Sequence, residues 1–265
     1  MEQPLIDALV IITLAVIQGV TEFLPVSSSG HLVVFEALFE HFGIPIEEKL
    51  TVGIVLHVGT LAAIVVFYWS SLIRLLREDR SAVGLILVGS IPAAVVGILL
   101  KEYGIPVLES PITAGICLPI TGILLLWSSR HQAGEREYVT IGYGRALVIG
   151  AFQAFAILPG ISRSGATIVA GLGAGMKRDQ AATFSFLLAV PAIAGAGLLE
   201  TIDAIREGAA HTPLGFLILG GIVSFLVGYG SLAWLIRWVH KGVLHRFAWW
   251  VIPLGIGVLA WKLIW

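Results

Sequence analysis

QGVTEFLPVSSSGH at residues 18–31 and QAFAILPGISRSGAT at residues 153–167 decide the architecture of this chain. They match at a constant offset of 135, which pairs Gln18 with Gln153, Ser27 with Ser162, Ser29 with Ser164 and Gly30 with Gly165. Polar, glycine-broken segments do not persist in so apolar a chain unless something holds them there. Their repetition predicts one site assembled from two halves of the protein.

The sequence around these stretches is built for lipid. Of its 265 residues 57% are hydrophobic and 12% charged, with mean hydropathy +0.96. Soluble domains carry roughly 25% charged residues. Apolar runs at Leu50–Trp69, Ala82–Leu100, Ile112–Trp127, Phe216–Ile236 and Phe247–Trp265 approach or reach the ~20 residues that cross a bilayer as helix. The reading is an integral, all-α membrane protein. Its opening MEQPLID lacks the positive n-region and cleavage site of a removable leader, so none is expected. A net charge of −1 gives no nucleic-acid footprint. The single cysteine, Cys117, excludes an internal disulfide.

Each half begins with a pair of segments broken by Pro, Gly and Ser: Leu5–Leu24 with Ser28–Phe39, then Ile141–Leu158 with Ser164–Met176. The second member of each pair is too short to span at ~1.5 Å per residue. Each pair therefore reads as a re-entrant hairpin, entering and leaving on one side. Such irregular backbone survives at membrane depth only inside protein or along a cavity. Three transmembrane helices follow each hairpin. The expectation is a single membrane domain over 1–265, with repeat one at about 1–130 and repeat two at about 140–265. A hairpin plus three crossings is odd, so the two repeats should have inverted topology, with the site between broken helices at the midplane. With both termini outside, eleven of the 16 Lys and Arg residues fall on the cytoplasmic side, as the positive-inside rule asks.

Arg163 is the most informative single residue. A guanidinium inside a membrane segment costs at least ~2.5–3.5 kcal/mol on insertion scales and marks function by default. Ser162 and Ser164 flank it with hydroxyls, and a Ser-Arg-Ser turn opening a helix offers backbone N–H groups beside a planar cationic fork. Those are the parts of a phosphate cradle. The structural alternative is an ion pair with Glu22. That carboxylate lies four residues after Gln18, on the same helix face. It would act as a base, neutralise Arg163, or hold a divalent cation through substrate phosphate oxygens. Ser27, Ser28 and Ser29 precede Gly30 and His31, and a serine nucleophile needs a base within reach, here His31 or Glu22. Helix packing is the other use of serines in a membrane hairpin. Gln153 is expected to hydrogen-bond in the same pocket, and Thr167 to donate to phosphate or back-bond to its own helix. His57 reads as a packed structural histidine. Trp249, Trp250, Trp261 and Trp265 read as interfacial belts.

With these residues in view, the chain resembles the bacterial undecaprenyl-diphosphate phosphatase family, also known for bacitracin resistance. QGVTEFLPVSSSGH and PGISRSGAT (159–167) carry the resemblance, with FSFLLAVPA at 184–192 beside them. The resemblance covers essentially the whole chain. It implies hydrolysis of undecaprenyl diphosphate to undecaprenyl phosphate and inorganic phosphate, which regenerates the lipid carrier for peptidoglycan synthesis. It implies a divalent cation, magnesium or calcium, as cofactor, and a plasma-membrane protein with its site facing the exterior. The family's acidic residue, serine pair and histidine map to Glu22, Ser27, Ser28 and His31. Its phosphate-binding turn maps to Ser162, Arg163, Ser164 and Thr167. Position 18, Glu or Gln in the family, is Gln here.

SSSGH also looks like an element of the type-2 phosphatidic acid phosphatases. Their first motif needs an Arg-Pro pair, which this chain lacks, and their last needs a histidine where Val169 stands. That fold is rejected. The expected reaction uses Ser28 as nucleophile, His31 as its activator, Glu22 as orienting group or metal ligand, and Arg163 as the anion clamp. Attack by water activated by Glu22 or His31 is the alternative chemistry. The rival class is a transporter or polyprenyl-phosphate flippase, which inverted repeats with broken helices also serve. Lipid substrate and membrane lipid are the expected partners, and a homodimer is left open.

Overall fold

The computed structural model describes residues 2–44, 46, 48–103, 106–130, 134–207 and 212–264. Among these, α1 (Glu2–Phe23) and α2 (Ser28–His41) meet at the first polar turn. There follow α3 (Lys49–Phe67), α4 (Trp69–Arg77), α5 (Arg80–Glu102) and α6 (Pro111–Ser128). A second pair, α7 (Tyr143–Phe155) and α8 (Arg163–Gly173), meets at the second turn. The chain closes with α9 (Arg178–Glu207), α10 (Leu214–Lys241) and α11 (Ala248–Ile264). Seven helical stretches among the described residues are long and apolar enough to cross a membrane, and the protein is a multi-pass membrane protein. Trp265 lies outside the described residues.

Six of those stretches are the expected crossings, and the seventh is α1. Its 22 residues reach ~33 Å, whereas the 13 of α7 reach only ~20 Å. Neither α2, with 14 residues, nor α8, with 11, covers the hydrocarbon thickness of ~30 Å. The polar stretch at 70–81 is also more ordered than its composition implies. It contains α4, which buries Leu75 and leaves Arg74 and Arg77 exposed, the pattern of a helix lying along an interface.

Helices cannot be driven together by hydrophobicity in lipid, so close packing must do it. The principal pairs are α1 with α10, α3 with α10, α5 with α7, and α6 with α11. Small residues bring the backbones together. A Cβ on Gly150 would lie 2.0 Å from the Gly89 carbonyl oxygen, where α7 meets α5. On Gly59 it would lie 2.5 Å from the Gly221 oxygen, and on Gly122 2.3 Å from Ile252. These contacts press the two polar turns into the middle of the bundle. Against them lie α6, whose Thr121 is fully buried, and α9, whose Ser185 and Phe186 are as deep.

Candidate active site

Both turns are organised by a serine N-cap. Ser27 Oγ accepts the Gly30 N–H at 3.2 Å, and Ser162 Oγ accepts the Gly165 N–H at 3.1 Å, so each satisfies an amide its helix leaves free. The turns also touch one another. The Gly160 N–H donates to Ser27 Oγ at 3.0 Å, and a Cβ on Gly30 would sit 2.7 Å from that same nitrogen. Glycine is required at Gly160 as well, where φ is +98° and a Cβ would meet the Ala114 oxygen at 2.6 Å. Thr121 fastens the second turn from α6, donating to the Gly160 oxygen at 2.7 Å and accepting the Ser162 N–H at 2.9 Å.

Where the turns meet, Glu22 becomes the hub. Its Oε1 accepts from Arg163 Nη2 at 2.7 Å. Its Oε2 accepts from Ser28 Oγ at 2.6 Å and from Gln18 Nε2 at 3.2 Å. The Glu22 side chain is 7% exposed and that of Arg163 15%, so this is a largely desolvated pair. Such a pair survives only when the remaining lone pairs and protons find partners. Several have none among the described residues: Arg163 Nη1, Gln18 Oε1 and both amide atoms of Gln153 are buried without a hydrogen bond. Buried polar atoms are rarely left so, which makes this cluster the candidate site. Phe186 supports the cation from below, its ring centroid 5.8 Å from Arg163 Cζ. Ser28, Ser29 and Arg163 are only part-buried, in contrast to their buried neighbours Ser27, Gly30, Ser162 and Ser164.

Gln18, Ser28 and Arg163 therefore gather on Glu22, whereas the Gln153 side chain makes no hydrogen bond among the described residues, and other expected residues have partners of their own. Ser28 bonds to Glu22, and the His31 ring is turned to Ser27 O, 2.8 Å from Nδ1, and to Trp250, whose Nε1 lies 3.0 Å from Nε2. No hydrogen bond joins His31 to Ser28, and the group beside Ser28 Oγ is the Glu22 carboxylate. Thr167 takes the back-bonding option, with its hydroxyl 2.8 Å from the Arg163 oxygen and 2.6 Å from Ser185 Oγ. Ser162 and Ser164 face each other at 3.2 Å, and Ser29 lies 3.4 Å from Ser27 Oγ. His57 bonds back to Gly53 O of its own helix, as a structural histidine does. Thr121, Ser185, Phe186 and Trp250 were not among the expected site residues. Ser185 and Phe186 do fall within FSFLLAVPA, and Trp250 carried only the signal of an interfacial aromatic.

No cluster of three His, Cys, Asp or Glu side chains able to cage a metal occurs among the described residues. One carboxylate, beside an amide oxygen without a partner, suits a hard divalent cation that takes its other ligands from substrate and water.

Taken together, the site holds a cation with a free N–H, a carboxylate, and a hydroxyl bonded to that carboxylate, all within a helical membrane bundle. The chain is 44% identical over 250 residues to an undecaprenyl-diphosphatase of Rhodopirellula baltica, covering 94% of this chain and 96% of that one. It is 41% identical to an undecaprenyl-diphosphatase of Halothermothrix orenii, covering 94% and 97%, and 36% identical to one of Methanosphaera stadtmanae, covering 95% and 97%. The profile of the family described as bacitracin resistance protein BacA matches residues 11–257. The chain thus belongs to the BacA family of bacitracin resistance proteins.

Proposed function

We propose that this chain is a phosphatase that hydrolyses undecaprenyl diphosphate to undecaprenyl phosphate and inorganic phosphate. The observation that carries the reading is the Glu22 carboxylate, with Ser28 Oγ on one oxygen and Arg163 on the other. Arg163 uses Nη2 for Glu22 and keeps Nη1 for a phosphoryl oxygen. Phosphoryl transfer is mostly positioning and charge stabilisation, which this fork supplies. Ser28 Oγ attacks the terminal phosphorus while its proton passes to Glu22. The bond from that phosphorus to the bridging oxygen breaks, and undecaprenyl phosphate departs with the electron pair and the proton. Water then attacks the phosphoserine. Glu22 takes the water's proton and returns it to Ser28 Oγ as inorganic phosphate leaves. Gln153 Nε2, free of any protein acceptor among the described residues, donates to a non-bridging oxygen, and Gln18 steadies Glu22 through its Nε2. A substrate-bridged magnesium or calcium would be held by Glu22 and the Gln18 carbonyl oxygen, and would add positive charge to the diphosphate.

The reading extends to topology. Two inverted repeats, about 1–130 and 140–265, each open with a hairpin that brings one turn to the midplane. Support comes from contacts that exchange under the offset of 135: Gly30 approaches Gly160, and Gly165 approaches Pro25. In this reading both termini and the site face the exterior of the plasma membrane, an orientation supported by the uneven distribution of Lys and Arg between the two faces. Release of undecaprenyl phosphate there would recycle the lipid carrier of cell-wall synthesis, in keeping with a family named for bacitracin resistance. All the reactive groups come from one chain, so a homodimer would hold two complete sites.

The test is phosphate release from a polyprenyl diphosphate by the purified protein in detergent, where there are no compartments to transport between. Release with magnesium or calcium, lost in Ser28→Ala together with any trapped phosphoserine, is the expected result. Absence of release with every divalent metal tried would favour a flippase. A phosphoserine that survives Ser28→Ala would remove Ser28 as nucleophile.

A further inference from the structure

An indole N–H donates and never accepts. The 3.0 Å contact between Trp250 Nε1 and His31 Nε2 therefore fixes the histidine without further assumption: Nε2 accepts, the ring is neutral, and its proton sits on Nδ1. That proton is 2.8 Å from the Ser27 carbonyl oxygen, which makes it the donor there. The two rings lie nearly parallel, 15° apart with centroids 6.2 Å apart, as an in-plane N–H···N bond between their edges requires. Trp250 itself is 57% exposed and comes from α11, far in sequence from either polar turn.

Ser27 needs such a hold. It is the only non-glycine residue at positive φ among the described residues, at +71°. A side chain there costs of order 1–3 kcal/mol and persists only where its surroundings over-determine it. His31 secures the carbonyl of Ser27 through both its ring and its backbone N–H, the latter at 3.2 Å. The Ser27 hydroxyl secures Gly30 and Gly160. The next residue is Ser28, whose Oγ must meet Glu22.

The geometry points to Trp250 as a positioning residue for the proposed reaction. It locks His31 as the neutral Nδ1–H tautomer, and the locked ring clamps the left-handed Ser27 so that Ser28 faces Glu22. His31 acts as a strut in this arrangement and holds its proton throughout the cycle. The proposal rests on the phosphatase reading for its kinetic consequence, though not for its structural one.

The test uses the full-length protein in detergent with 15N-labelled histidine. The His31 signal, identified by its loss in His31→Ala, should show the Nδ1–H tautomer alone in the parent protein and a mixture in Trp250→Phe, which keeps the ring and removes the donor. Trp250→Phe should lower kcat about tenfold with KM within about twofold, because the anion clamp on the other turn is untouched. In a His31→Ala background the same change should alter kcat less than twofold. An Nε2–H tautomer in the parent protein, or an equal loss of kcat in both backgrounds, would overturn the assignment. Should the parent protein release no phosphate, the phosphatase reading fails on its own, and the tautomer measurement still decides whether the strut exists.

Discussion

The two polar turns are copies in plan and opposites in condition. Each has a serine cap accepting the amide of the glycine three residues on, Ser27 with Gly30 and Ser162 with Gly165. Ser162 sits at an ordinary φ of −73°, whereas Ser27 is forced to +71°. One residue later the copies part in chemistry, with Ser28 in the first and Arg163 in the second. The strained copy carries the groups that would react, and the relaxed copy carries the clamp. A charge tolerates small errors of placement, since its attraction falls off slowly with distance. A hydroxyl that must lie within hydrogen-bond reach of a carboxylate tolerates little, and loses rate steeply when displaced. Backbone strain is therefore found where aim matters most.

The sharpest way to break this contrast is to remove the clamp. Arg163→Ala should lower phosphate release ~100- to 1000-fold, by analogy with removal of preorganised charge stabilisers. It should also cost about 3–5 kcal/mol of stability, since Glu22 is left buried and uncompensated. Arg163→Lys should recover stability before activity, because an ammonium keeps the charge and loses the fork. Phosphate assay with thermal unfolding in detergent separates the two, and near-normal turnover in the alanine variant would dismiss the site.

A smaller effect distinguishes the paired glycines. Gly30→Ala pushes a methyl group to 2.7 Å from the Gly160 nitrogen, which is backbone and cannot swing aside. Gly165→Ala meets the Pro25 side chain at 3.1 Å, a contact that can give by a few tenths of an ångström. Misplacement on the order of 1 Å can cost ~100-fold in rate, so Gly30→Ala should approach that loss and Gly165→Ala should stay within about tenfold. Equal losses would mean that the turns are not differently strained.

The smallest effect concerns the caps and is read in stability alone. Ser162→Ala should cost ~1 kcal/mol, the usual worth of an N-cap. Ser27→Ala loses the cap and leaves the buried Gly160 N–H without its acceptor, so the cost should reach ~2–4 kcal/mol. The order of the two unfolding temperatures checks this.

Much of the fold is legible because lipid imposes simple rules. The run Leu50–Trp69 marks α3 to within two residues at either end, and Ile112–Trp127 marks α6 to within one. Polar breaks are less legible, since the amphipathic α4 hides in one of them. The pairing of Glu22 with Arg163 could be anticipated because charges at membrane depth seek each other. Thr121, Ser185 and Trp250 could not, because each is an ordinary residue in an apolar helix until the bundle closes. His31 shows the same limit from the other side. Its proximity to Ser28 in sequence suggests a base, and the direction of its ring depends on an indole 219 residues away.

The bond from the Gly160 amide to the Ser27 hydroxyl spans 133 residues, and that span has a meaning in time. At roughly 5–20 residues per second, the second partner leaves the ribosome on the order of 10 s after the first. Through that interval the left-handed serine has neither Gly160 nor Trp250 to hold it, so the first turn enters the membrane unfinished. The first turn is thus completed late, although its residues are among the first to be made. Until its own second half arrives, a newly inserted chain lacks the contacts that close its first turn.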